Sequence, residues 1–271
     1  MKRNQRFITR LTEEGKHADN FDIKVSGVKD FSKIKVVLMA AGRGTRISKY
    51  IGDKPKSLVD IGESSLISHT IDMLNSNGIT DISVIVGYKH EMLEDELSGK
   101  NVKVYYNPDF AETNSIYSLY LAREELQGQD IIMANADVFW ETDILELLLS
   151  DKREIVMLSD VERVDSGDYF FNTDDESRIT DYGKTLTREN RTCEYVGIAK
   201  VDKSFVNAFR TRLIEMIEAG DVNKWWENVL YSFVGTKDVC SLDVDGRFWA
   251  EVDVIDDYKR ILDYLESAKK C

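Results

Sequence analysis

Between Ile34 and Leu149 the chain alternates repeatedly between short β-branched apolar runs and segments whose apolar residues recur at helical spacing. The runs are Lys35 to Met39, Ile82 to Val86, Val102 to Tyr106 and Asp130 to Ala136. Bounded by small or turn-forming residues, they read as strands of a buried parallel sheet. Ser65 to Asn77 carries Ile67, Ile71 and Leu74 on one helical face and stops at Asn77-Gly78, a good helix end. Further helices are expected over His90 to Leu97, Asn114 to Leu126 and Asp143 to Leu149. Repeated βα units of this kind imply an α/β fold with a doubly wound, mainly parallel sheet.

The first run feeds the most informative stretch, K-I-K-V-V-L-M-A-A-G-R-G-T-R-I-S-K-Y-I-G-D-K-P-K-S-L, residues 33–58. Ala40, Ala41, Gly42 and Gly44 leave the backbone bare, so that consecutive N–H groups can turn toward an anion and a nucleoside can lie against the main chain. Arg46 adds a planar fork for phosphate oxygens, and Lys56, held after the rigid Pro55, adds a point charge. A Walker loop needs G-x-x-x-x-G-K-[ST], which does not occur. A dinucleotide fingerprint needs Gly or Ala three residues after the second Gly, and position 47 is Ile. What fits is G-x-G-[ST]-R, with Thr45 in the fourth place, then eight residues, then P-K.

Two acidic motifs accompany it. In N-A-D-V-F-W, residues 135–140, Asp137 ends a buried strand, the edge where ligands of open α/β sheets bind. Its bland role is a helix N-cap, but Thr142 or Asp143 can start the next helix. In A-E-V-D-V, residues 250–254, Glu251 and Asp253 are two apart and face one side if the segment is a strand. Asp137, Glu251 and Asp253 together would supply hard oxygen ligands suited to Mg²⁺. The histidines are His17, His69 and His90, too scattered for a histidine-built zinc site.

A net charge of −13 over 271 residues argues against nucleic-acid or anionic-membrane surfaces. Polyanionic substrates would then need local positive charge from Arg46, Lys56 and a metal. Cys193, Cys240 and Cys271 have no metal or disulfide spacing and suit a reducing cytoplasm. The basic start has no apolar stretch after it, and no run approaches a membrane span. Residues 1–33 form an N-terminal extension whose bland role is a surface arm, packed on the domain or on the second subunit of a homodimer. Past Arg153 the pattern shifts, and about 160–200 reads as a small antiparallel substrate-binding insertion in a single domain over 34–271. Helices are expected over Lys203 to Ala219, Trp225 to Phe233 and Ile255 to Ala268, with two strands between Val239 and Val252.

The glycine turn with its Arg and distant Pro-Lys resembles the signature of nucleotidyltransferases that join an NTP to a phosphorylated sugar or alcohol, over roughly 34–268. The order G-R-G-T-R, P-K-S-L, N-S-I-Y-S, N-A-D-V, W-W-E and E-V-D-V-I-D-D-Y is similar to the bacterial phosphocholine cytidylyltransferase group, which includes 2-aminoethylphosphonate cytidylyltransferases. The resemblance implies a Rossmann-like nucleotidyltransferase fold, CTP and a small phosphorylated or phosphonate acceptor as partners, and Mg²⁺ on Asp137, Glu251 and Asp253. It puts Lys56 at the acceptor phosphorus group and α-phosphate and Arg46 at the pyrophosphate end. Gly42, Tyr88, Asn114 and Ser115 fall near cytosine and ribose, beside Ala40, Gly44 and Thr45 of the turn.

Candidates for the acceptor pocket are Asp168, Tyr169, Phe170, Tyr195, Trp225, Trp226 and Glu227. An aromatic cage suits a quaternary ammonium, whereas a primary ammonium needs acceptors for its N–H groups. Trp225-Trp226-Glu227 resembles the aromatic-acid element of the choline enzymes, with helix packing as the competing role for both Trp. The segment Asp168 to Asn172 has Tyr-Phe where those enzymes place a Trp, which puts 2-aminoethylphosphonate ahead of phosphocholine. A sugar-1-phosphate nucleotidyltransferase and a non-catalytic nucleotide-binding protein are the competing classes. The second has no need of Lys56 with Asp137, Glu251 and Asp253. A D-x-D glycosyltransferase is disfavoured by Phe139.

Overall fold

The computed structural model describes residues 31, 33–44 and 47–270, within a compact unit spanning Phe31–Cys271. The extension expected over 1–33 therefore lies almost wholly outside the described residues, as do Thr45 and Arg46. In chain order the first half contains β1 (Ile34–Ala40), α1 (Leu66–Ser76), β2 (Asp81–Val86), α2 (His90–Leu97), β3 (Lys103–Tyr106), α3 (Ser115–Leu121) and β4 (Asp130–Asn135). After it come β5 (Val138–Phe139), α4 (Thr142–Ser150), β6 (Ile155–Asp160), β7 (Phe170–Thr173), β8 (Ile179–Gly183) and β9 (Cys193–Val201). The chain closes with α5 (Lys203–Glu218), β10 (Val239–Asp243), β11 (Ala250–Glu251) and α6 (Ile255–Lys270).

β1 is buried along its whole length because both faces of the sheet are covered. Val36, Leu38 and Ala40 point into one core with Ile67, Ile71 and Leu74 of α1 and Ile144, Leu145 and Leu148 of α4. Val37 and Met39 point into the other, with Ile116 and Leu119 of α3 and Phe205, Phe209 and Leu213 of α5. The period of two along the strand and of 3.6 along the helices thus builds three layers. Ser65 caps α1 by accepting from the Ser68 N–H at 3.2 Å, as its place before the apolar run requires. No helix among the described residues is long and apolar enough to cross a membrane.

The sheet runs β3-β2-β1-β4-β9-β6-β10. β3, β2, β1 and β4 are mutually parallel. β9 is antiparallel to both β4 and β6, and β10 is parallel to β6. The segment expected as a small insertion is therefore only partly separate. β7 and β8 form a hairpin, but β9 runs back from it into the middle of the main sheet. β6 was not anticipated, although Ile155 to Ser159 is an apolar run of strand length. The helix expected over Trp225 to Phe233 shrinks to one turn, Asn228–Tyr231. α3 stops at Leu121 and continues as a 3₁₀ turn, Arg123–Glu125.

Candidate active site

The strand order leaves β1 in opposite directions toward β2 and toward β4, so the crevice at the carboxyl ends of β1 and β4 is the switch point at which such sheets bind ligands. A cavity of about 380 Å³ opens there, lined by Ala40, Gly42, Arg43 and Gly44 from the first turn and Asn114, Ser115 and Ser118 from α3 and its cap. Gly44 has φ +59°, and a Cβ at that position would overlap the Lys56 side chain. Glycine is needed there so that Lys56, arriving from the far end of the same loop, can fold back across the turn.

Lys56 also lines a second cavity of about 240 Å³, together with Ser115, Asn135, Asp168, Tyr169, Lys184, Glu194, Tyr195, Trp225, Glu227, Tyr231, Glu251 and Asp253. The two cavities share Lys56, Ser115, Asn135 and Glu251. The Lys56 ammonium contacts Asp253 and lies 3.4 Å from Asp137. Burial alone would lower its pKa, but Asp137, Asp253 and Glu251 outweigh that and raise it, so the ammonium keeps its charge.

The carboxylates arrive by a device the spacing does not reveal. Val138 pairs with Glu251 and Phe139 with Ala250 in a two-stranded antiparallel ribbon set apart from the main sheet. The Val252 N–H donates to the Asp137 carbonyl at 2.9 Å, fastening the end of the ribbon. Glu251 and Asp253 were expected on one face of a strand, but the strand ends at Glu251. A tight turn, in which the Asp253 N–H donates to the Glu251 carbonyl at 3.0 Å, then carries Asp253 round to its partners. One carboxylate oxygen from each of Asp137, Glu251 and Asp253 lies within 4.8 Å of the others. Burial, then the neighbouring acids, pushes Glu251 well above the usual carboxylate range. Burial also raises Asp137, against the pull of Lys56. Three crowded hard-oxygen donors facing one ammonium suit a divalent cation such as Mg²⁺.

The floor between the cavities is Asn135. Its amide oxygen accepts from the Trp226 indole N–H at 2.9 Å, and its NH₂ donates to Glu227 at 3.4 Å. Trp226 is fully buried and holds the site from beneath, so the expectation that it lines the acceptor pocket is corrected. The loop that carries it docks on α3: the Asn114 N–H donates to the Val222 carbonyl, the Ile116 N–H to the Lys224 carbonyl, and the Trp226 N–H to the Ser115 hydroxyl. Gly197, at φ +90°, lies under the same floor, where a Cβ would press on Asn135 and Val138.

Burial pushes the Glu227 carboxyl up to about 7, although the Asn135 amide pulls it down. Tyr169 meets Trp225 edge-on at 5.6 Å and stacks on Tyr231 at 5.7 Å, so three rings form a wall of the second cavity. Asp168 stands at its exposed rim in an ion pair with Lys184 at 2.6 Å. Phe170 is buried away from the cavity under the Arg191 guanidinium. Tyr88 also stays outside, contrary to expectation. Its hydroxyl donates to Asp53, which also pairs with Lys89, and its ring meets Phe110 edge-on.

Several lining residues carried no signal that spacing could pick out. Asn135 stands in the N-A-D motif but lacks charge. Tyr231 sits on a single helical turn without periodicity, and Glu194 is buried in β9. Arg43 lies between the two glycines and its guanidinium stacks 5.3 Å over the Tyr88 ring.

The chain is 25% identical to the choline-phosphate cytidylyltransferase of Streptococcus pneumoniae over 241 residues, covering 86% of this chain and 99% of that one. It is likewise 25% identical over 236 residues to the 2-aminoethylphosphonate cytidylyltransferase of Lancefieldella rimae, covering 82% and 89%. A solved structure of the S. pneumoniae CTP:phosphocholine cytidylyltransferase superimposes with a TM-score of 0.71 at 24% identity, over 86% of this chain and 99% of that one. The inositol-1-phosphate CTP transferase of T. maritima does so with a TM-score of 0.67 at 20% identity, over 84% and 94%. Both structures share the Rossmann-like nucleotidyltransferase fold. Residues 36–220, which include the glycine turn, match the MobA-like NTP transferase domain, and the chain belongs to this nucleotidyltransferase family.

Proposed function

We propose that the protein is a cytidylyltransferase that transfers CMP from CTP to the phosphorus group of a small amine-bearing acceptor and releases pyrophosphate. The observation that carries this reading is the place of Lys56, a permanently charged ammonium lining both cavities beside three carboxylates. The names of the relatives support CTP as the donor. The first cavity takes the nucleotide, with the bare turn and Arg43 at the phosphates and Asn114 and Ser115 on the nucleoside side. Arg46 is assigned the pyrophosphate end.

A phosphate monoester has its second pKa near roughly 6, so the attacking oxygen is already anionic and no general base is required. That oxygen forms a bond to the α-phosphorus of CTP as the bond to the β-phosphate oxygen breaks, and pyrophosphate leaves with the electron pair. The chain's task is to align two polyanions and neutralise their charge. Lys56 does both, facing the α-phosphate from one cavity and the acceptor phosphorus group from the other. Asp137, Glu251 and Asp253 would hold Mg²⁺, which when bound adds charge neutralisation and Lewis acidity at the phosphates.

The second cavity takes the acceptor's cationic end. Its rings and carboxyl groups favour an ammonium over the many hydroxyls of a sugar. Glu227 can accept N–H bonds at the buried end, which puts 2-aminoethylphosphonate first. Phosphocholine is the second reading, favoured by the Tyr169, Trp225 and Tyr231 rings. Purified protein should release pyrophosphate from CTP with Mg²⁺ and either acceptor, and fall silent on chelation. Equal or better turnover with UTP or dTTP and a hexose 1-phosphate would move it to the sugar branch.

A further inference from the structure

Three tyrosines line the second cavity, and they are not equivalent. Tyr169 and Tyr231 stack on each other, and neither of their hydroxyls is a buried group without a partner. The Tyr195 hydroxyl is buried, with only 7% of the residue exposed, and has no hydrogen-bond partner among the described residues. A buried hydroxyl without a partner costs about 1–3 kcal/mol, so it calls for an explanation.

Its direction follows from the strand. Tyr195 and Gly197 are two apart in β9 and both face the cavity, while Val196 between them points into the opposite core. The β6–β9 register shifts between Met157 and Ser159 and resumes at Ser159 opposite Tyr195, with the Tyr195 N–H donating to the Tyr169 carbonyl at 2.8 Å. The ring is fixed from behind by Phe171 at 5.4 Å. The hydroxyl therefore cannot turn away to find solvent without breaking this packing.

The charges around it select what can satisfy it. Glu227 and Glu251 are the acids that act on the phenol, and Asp168 and Asp253 line the same cavity. Lys56 stands at the junction with the first cavity, where it is assigned to the phosphorus groups, and Lys184 is held at the rim by Asp168. An anionic ligand group would be repelled by these acids, whereas a cationic N–H donor is attracted by them and can donate to the phenolic oxygen. A quaternary ammonium fits the charge but has no hydrogen to give, so it leaves the hydroxyl as it found it.

We propose that Tyr195 is a specificity-determining residue that accepts a hydrogen bond from the acceptor's ammonium and so selects N–H-bearing head groups over fully methylated ones. The assignment rests on the second cavity being the acceptor site, as proposed above. Tyr195→Phe removes the hydroxyl and nothing else of the packing. The test measures kcat/KM with CTP for wild type and Tyr195→Phe across one acceptor and its N-methyl, N,N-dimethyl and N,N,N-trimethyl forms. In wild type kcat/KM should drop sharply at the last methylation, where the final N–H is lost. In Tyr195→Phe the preference for N–H-bearing over trimethyl acceptor should shrink by roughly 10- to 100-fold, the range of a hydrogen bond to a charged group. The melting temperature of the free variant should equal or exceed that of wild type, because no protein group loses a partner.

An equal loss across the whole series, or an unchanged preference, overturns the role of Tyr195 and leaves the proposed reaction standing. A lowered melting temperature of the free variant also overturns it, since the hydroxyl would then be held by the protein. Absence of CTP-dependent pyrophosphate release from wild type with every member of the series overturns both readings at once.

Discussion

Lys56 and Gly44 act as one unit, since the side chain of the first lies where the Cβ of any other residue at the second would be. Lys56→Met removes a fixed charge from the junction of the two cavities. It should cost at least the 10²-fold or so in kcat typical of losing one preorganised charge stabiliser, with the fold intact. Near-normal turnover would remove Lys56 from the reaction. Gly44→Ala reaches the same ammonium indirectly. The left-handed backbone costs a non-glycine residue roughly 1–2 kcal/mol, and the new methyl displaces Lys56 from its carboxylates. Stability should fall by about that amount and turnover should fall with it, whereas a loss of stability alone would uncouple the turn from the lysine. Glu227→Gln keeps the shape of the pocket but removes its buried charge, so the KM for an amine acceptor should rise by roughly the 1.5–3 kcal/mol of a charged hydrogen bond. The KM for CTP should barely move in steady-state assays.

The elements differ in how openly the sequence declares them. β1, α1, β2, α2 and β4 were legible because each carries its whole signal locally, a buried run or a helical stripe closed by its own stop residues. β9 falls mostly within the antiparallel insertion expected over about 160–200, and nothing local marks it as a member of the main sheet. An antiparallel strand buried on both faces has the same apolar composition whether its neighbours come from a hairpin or from the central sheet. Asp137, Glu251 and Asp253 were found by residue type, while the ribbon of β5 and β11 that unites them has only two residues a side, too short for periodicity. That ribbon rests on α6, whose Ile261 packs with Phe139, Ala250 and Val252 in a separate core. Asp257, in the first turn of α6, reaches back to accept from the Val254 N–H at 3.1 Å and the Asp253 N–H at 3.4 Å. This is half of a capping box, and it also fixes the turn bearing Asp253. Asp257→Ala should therefore lower stability by about 1 kcal/mol and raise the Mg²⁺ concentration needed for half-maximal activity. A Mg²⁺ titration identical to that of wild type would confine Asp257 to helix capping.

For the whole molecule, the buried acids of the site set a pH dependence opposite in sign to that of most carboxylates. Burial raises Glu227 from 4.5 to about 7 in the folded chain. At pH below 4.5 the group is protonated in both folded and unfolded states and costs nothing. As pH rises toward about 7 the unfolded chain releases the proton while the folded chain retains it, so stability falls across that window and levels off above it. The loss from this one group is on the order of 3 kcal/mol. Glu125, ion-paired to Lys35 and lowered to about 2, works the other way and loses its contribution only in strong acid. The two effects therefore occupy separate pH ranges. Denaturant unfolding of wild type and Glu227→Gln between pH 4.5 and 8 isolates the first, because every other group cancels in the difference. The variant should gain on wild type progressively up to about pH 7 and hold a constant advantage beyond it, whereas a difference independent of pH would show that Glu227 titrates normally. An amine acceptor supplies the missing counter-charge and should draw the proton off Glu227. The acceptor's phosphorus group titrates near roughly 6 in both proteins, so the difference between them carries the effect: binding should tighten with pH more steeply in wild type than in Glu227→Gln through the same window, and the stability lost in the free protein reappears as affinity for the cation.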